Sequence, residues 1–113
     1  MNKRNYIVFD TETTGLHAEE GHEIVQIAAK AINYYDFSDH HAGEFQVILK
    51  PQSPELASEG ALRVIGDLWD RAKTEGVHPK VGLQKFFDFV KEVENTKISS
   101  GKPILVAHNL SFD

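Results

Sequence analysis

Residues 6–15 read Tyr6-Ile7-Val8-Phe9-Asp10-Thr11-Glu12-Thr13-Thr14-Gly15. Four apolar residues in succession suit a β-strand buried on both faces, not one that alternates between core and water. Asp10 ends the run, and Thr13-Thr14-Gly15 reads as a turn. Asp10 and Glu12 are two apart, so at the end of a strand their side chains leave the same face. Two adjacent carboxylates repel each other, and a shared divalent cation removes that cost. An all-oxygen ligand pair suits magnesium or manganese. Spacing alone leaves another reading open, in which the two acids are polar strand-end or turn residues. Glu92 and Glu94 show the same spacing near a helix end, where such residues diverge, and read as solvated surface.

Outward from this stretch, Glu23 to Ile32 reads as a second strand. Val25, Ile27, Ala29 and Ala31 fall on one face and Gln26 and Lys30 on the other. Tyr34 to Ala42 is polar and reads as a hairpin loop. Glu44 to Lys50 alternates again, with Phe45, Val47 and Leu49 on one face. Pro51 and Pro54 break the chain. A short helical stretch over Pro54 to Val64 follows. Pro79 to Val93 is the clearest amphipathic helix, with Leu83, Phe86, Phe87, Val90 and Val93 at three- and four-residue steps. Pro103 to Ala107 reads as one more buried strand. The close-set second and third strands suggest an antiparallel meander, and the strand after the long helix is expected to run parallel to the first. The expected class is α/β, a mixed sheet with helices on its faces.

The remaining sequence sets limits. At 113 residues the chain allows one domain. Absence of cysteine excludes structural disulfides and thiolate zinc sites. The basic start at Lys3 and Arg4 precedes an apolar run too short for a signal sequence, and no segment approaches a membrane span. A cytoplasmic protein without membrane contact is expected. The net charge of −5 argues against a broad basic face for duplex nucleic acid. It permits an enzyme that grips a few nucleotides, because bound cations supply the local positive charge. His108 and Asn109, after the last strand, read as turn and capping residues. Asp113 approaches Asp10 if the last strand neighbours the first, since ligands of open α/β sheets collect at strand C-terminal ends.

Phe9-Asp10-Thr11-Glu12-Thr13-Thr14-Gly15-Leu16 resembles the first motif of the DEDDh exonucleases, the family of the proofreading epsilon subunit of bacterial DNA polymerase III. Ala107-His108-Asn109-Leu110-Ser111-Phe112-Asp113 resembles the second. Glu23 to Ala29 resembles the strand between them. The resemblance implies a ribonuclease H-like fold and hydrolysis of nucleic acid from the 3′ end with two magnesium or manganese ions. By that analogy Asp10 bridges both metals. Glu12 helps to hold one metal and contacts the terminal 3′ hydroxyl, and Asp113 holds the other metal. Backbone groups of Thr11, Thr13, Thr14 and Gly15 approach the end nucleotide. Leu16 packs on its base and Phe112 lines the same pocket, although both also suit plain core packing. The implied partners are a single-stranded 3′ end, DNA before RNA, and a DNA polymerase.

Two departures stand out. Ile65-Gly66 takes the place of a His-Gly pair that often follows the first helix in polymerase-associated relatives. The family's third motif, His-x-x-x-x-Asp, which carries its general base and fourth carboxylate, has no counterpart. His108 belongs to the second motif, and His17, His22, His40, His41 and His78 read as surface or loop residues. Residues 1–113 are thus expected to be the N-terminal portion of an exonuclease domain whose C-terminal part is missing, with apolar surface left exposed and no activity alone. The rival readings are a non-catalytic partner-binding module and a haloacid-dehalogenase-like phosphatase. The phosphatases also open with a strand running into Asp-x-Asp-x-Thr, but Glu12 stands at their second Asp.

Overall fold

The structure is a computed structural model that describes residues 2–107. Four strands form one mixed sheet in the order β3-β2-β1-β4. β1 (Tyr6–Thr13), β2 (Ile24–Ile32) and β3 (Asp39–Ile48) make the antiparallel meander, and β4 (Ile104–Ala107) pairs parallel to β1. Three helices, α1 (Glu59–Ile65), α2 (Leu68–Glu75) and α3 (Pro79–Val93), lie between β3 and β4.

α3 supplies the core of one sheet face. The His78 imidazole accepts from the Lys80 N–H at its start, and Pro79 occupies its first turn. Phe86, Phe89 and Val93 are buried against Ile7, Ile27, Ala29, Ala31, Val47 and Leu49. The Phe45 ring lies between those of Phe86 and Phe89, with centroids 5.7 and 5.4 Å away. The helix backbone comes close to β3 at Gly82, where a Cβ would fall 2.1 Å from Leu49 Cδ2. Phe89, not Phe87, faces the core, and Phe87 is 53% and Leu83 40% exposed. The three- and four-residue steps fit two adjacent stripes, and the sheet covers only one of them.

β1 is buried on one face, not two. Ile7 is fully enclosed under α3, whereas Val8 on the opposite face is 43% exposed, as is its β4 neighbour Val106 at 44%. β4 is an edge strand, and Leu105 is 50% exposed.

The hairpin between β2 and β3 is shorter than the sequence suggests. β3 begins at Asp39, paired with Ile32, so residues 39–42 belong to the strand. Phe37, at a φ of 58°, closes the turn, and Asp36 accepts from the Ser38 N–H and hydroxyl. Those two bonds hold the Asp36 carboxyl below its ordinary range. His40 is buried, not a surface residue.

α2 is absent from the pattern reading because only Ala72 of its residues is buried. Its exposed side carries the ion pairs Arg71 to Glu75 and Lys73 to Asp70. No helix among the described residues is long and apolar enough to cross a membrane.

Candidate active site

β1 runs past Asp10 to Thr13, so both acids sit within the strand and not beyond it. Asp10 pairs with Ala28 and Glu12 with Gln26 on β2. Opposed residues share a face, so both carboxylates rise from the face opposite Ile7 and α3. Ala28 is short and leaves room over Asp10. The register with β2 slips between Glu12 and Thr13, a bulge of the kind that bends a strand and re-aims its side chains.

Both acids are half-buried. The Thr11 N–H donates to Asp10 Oδ1 at 2.9 Å and fixes that carboxylate. They line a cleft of about 720 Å³ together with Thr11, Thr13, Gly15 and Leu16. The far wall is α1, with Ser58, Ala61, Val64 and Ile65. No Lys or Arg is among the described lining residues of this cleft. A second hollow of about 630 Å³ opens on the sheet face around Val8, Ala28, Lys30 and Gln46, and Asp10 borders both.

The turn after β1 is built by hydrogen bonds to the start of β2. The Thr14 N–H donates to the Glu23 carbonyl at 2.9 Å, and the Glu23 N–H donates to Thr14 Oγ1 at 2.8 Å. Thr14 is thereby buried and is not part of the cleft lining. The Thr13 hydroxyl donates to the Gly15 carbonyl. Glu23 also anchors the segment that leads into α1. Its carboxylate accepts from the Gln52 N–H at 2.8 Å and the Ser53 N–H at 2.9 Å. The Ser58 N–H, at the α1 N-cap, donates to the Thr14 carbonyl at 2.7 Å. These bonds tie the turn after β1 to the segment that leads into α1.

The sequence reading missed His22, which it took for a loop residue. The ring is half-buried, lines the cleft and packs on Gly15. Its Nδ1 accepts from the His17 N–H at 3.0 Å. Spacing from Gly15 gives no hint of this, because the 3₁₀ turn Ala18–Glu20 and Gly21, at a φ of 87°, return the chain to the cleft. Among the described residues, His17, Glu19 and Glu20 form one exposed group whose ligand atoms lie within 4.8 Å of one another. His17 pairs there with Glu19 at 3.4 Å. Asp113 and Phe112 lie outside the described residues.

The sheet order, with two acids on the strand that joins its antiparallel and parallel parts, defines a ribonuclease H-like exonuclease fold. The chain belongs to the RNase_T exonuclease family, which matches it over residues 7–113. A DNA polymerase III of PolC type from Streptococcus pyogenes serotype M5 is 34% identical over 114 residues, which cover 100% of this chain and 6% of that protein. The chain therefore spans a small part of the curated relatives it matches. Among solved structures, a full-length 3′-exonuclease superposes with a TM-score of 0.71 at 20% identity, over 95% of this chain and 47% of that one. The nuclease domain of 3′hExo, a DEDDh family member bound to rAMP, gives 0.69 at 18% identity, over 95% and 52%. The likeness to DEDDh exonucleases, carried in the sequence by residues 9–16 and 107–113, stands, and the phosphatase reading is set aside.

Proposed function

We propose that this chain forms the carboxylate and nucleotide site of a 3′–5′ exonuclease that releases 5′-mononucleotides from single-stranded DNA. The observation that carries the reading is the placement of Asp10 and Glu12 on one face of β1, lining a cleft rimmed by apolar Leu16 and Val64. Divalent cations fit this donor set, since the carboxylates are half-buried, two residues apart on one face of the strand and all-oxygen in their ligand atoms. Asp10 and Glu12 would hold magnesium or manganese, with Asp113 as the third carboxylate. When bound, two such ions supply the charge that activates water and stabilises the leaving 3′ oxygen.

The chain's own residues do the positioning. The Thr11 N–H orients Asp10, and the bulge after Glu12 orients the second acid. Leu16, 56% exposed, and Val64 and Ile65 across the cleft offer an apolar slot for the terminal base. Thr11, Thr13 and Gly15 bring backbone close to the same nucleotide, and the family resemblance assigns Phe112 to the same pocket. Kinship to PolC-type polymerases supports DNA as substrate, a polymerase as partner and the cytoplasm as location.

We read residues 1–113 as the N-terminal portion of one exonuclease domain, without the third motif. A general base contributes about a hundred- to ten-thousand-fold in rate, so these residues alone should show no shortening on the timescale of the assay. The test compares 5′-labelled DNA and RNA strands of matched sequence, with the protein at its full natural length and with residues 1–113. The full-length protein shortens DNA from the 3′ end, and RNA more slowly, while residues 1–113 do neither. Shortening from the 5′ end would overturn the polarity, and faster loss of RNA would overturn the substrate.

A further inference from the structure

The geometry points to His22 as a substrate contact, a hydrogen-bond donor to the edge of the terminal base. The inference rests on the proposed function and adds a residue that the acidic motifs do not supply. Three observations place it. First, the ring lines the same cleft as Asp10, Glu12 and Leu16. Second, it touches both chain neighbours of Leu16. It packs on Gly15 and accepts from the His17 N–H. The imidazole therefore sits beside Leu16, whose apolar side chain suits a flat base. Third, the bond from His17 occupies Nδ1, so the neutral ring carries its proton on Nε2. Nε2 makes no hydrogen bond among the described residues.

The cleft thus presents the His22 Nε2–H beside the apolar side chains of Leu16, Val64 and Ile65. Leu16, Val64 and Ile65 cannot read a base edge, because they neither donate nor accept. Every base offers an acceptor on its edge, so a single donor adds affinity for any base and distinguishes a base from its absence.

The test titrates the uniformly ¹⁵N-labelled chain with thymidine 5′-monophosphate and with deoxyribose 5-phosphate, both in magnesium. His22→Asn is the control, because its side-chain oxygen keeps an acceptor near the Nδ1 position for His17 while nothing replaces Nε2. The expected result is a shift of the His22 Nε2 resonance with the nucleotide only. His22→Asn should also bind the nucleotide about three- to tenfold more weakly and the sugar phosphate equally well, the size of one lost neutral hydrogen bond. If the nucleotide shifts the Asp10 and Leu16 amides but His22→Asn binds it as well as the wild type, the contact is overturned and the proposed function stands. Equal weakening for both ligands also overturns a base contact. If neither ligand shifts any cleft residue, the proposed function fails, and this inference with it.

Discussion

The imidazole of His22 lies so close over Gly15 that a Cβ on Gly15 would fall 2.2 Å from its Nδ1. The contact joins the turn after β1 to the start of β2 at the mouth of the cleft. Gly15→Ala must displace the ring and break its bond from His17, at a cost of about 1–3 kcal/mol. In a His22→Ala background the added methyl finds space, so the same substitution costs measurably less. Urea unfolding of both single variants and the double variant checks this. Equal costs in the two backgrounds would show that the ring is not what demands glycine.

Glu23 works differently, through charge and not shape. Its carboxylate holds two backbone N–H groups of the segment that leads to α1. Hydrogen bonds to a charged acceptor contribute about 1.5–3 kcal/mol. Glu23→Ala should lower stability by that order and speed amide exchange at Gln52 and Ser53. Unchanged exchange at both positions would remove Glu23 from the cleft's support.

Glu12 separates catalysis from stability. Removing one of two neighbouring acids relieves repulsion, so Glu12→Gln should leave the melting temperature unchanged or raised. Hydrolysis by the full-length protein should fall about a hundredfold or more, the scale of one lost charged group at a reacting centre. A destabilised variant with normal turnover would reverse both assignments.

His40 gives a pH dependence. Burial, and the charge of the neighbouring His41, push its imidazole below the ordinary histidine value. The rings stack at 4.2 Å, and Nδ1 accepts from the Ala42 N–H. A histidine whose pKa is lower in the folded state binds more protons when unfolded. Stability is therefore complete above about pH 6.5 and declines as pH falls through that value. Denaturant midpoints at pH 7.5 and 6.0 should drop further for the wild type than for His40→Asn. A parallel drop in both would assign the slope to other groups.

Much of this architecture was legible in the chain. The alternation from Val25 to Ala31 fixes β2 and its buried face, and Pro79 marks the start of α3. Asp10 and Glu12 could be placed on one face from spacing alone. What stayed hidden depends on long-range packing. A run such as Tyr6 to Phe9 reads as doubly buried, yet what covers each face is not a local property. Phe87 and Phe89 are equally apolar, and only the position of β3 selects Phe89. α2 carries almost no apolar stripe. His22 enters the cleft because Thr14 and Glu23 bond across eight intervening residues, which no periodicity encodes.

The central claim is that the carboxylate of Asp10 is required for removal of nucleotides from a 3′ end. The most direct measurement uses a 5′-labelled single-stranded oligonucleotide, the full-length protein and magnesium or manganese, with wild type and Asp10→Ala side by side. The wild type should give a ladder shortening from the 3′ end, Asp10→Ala should give none, and chelator should abolish the wild-type activity. Undiminished shortening by Asp10→Ala would contradict the claim.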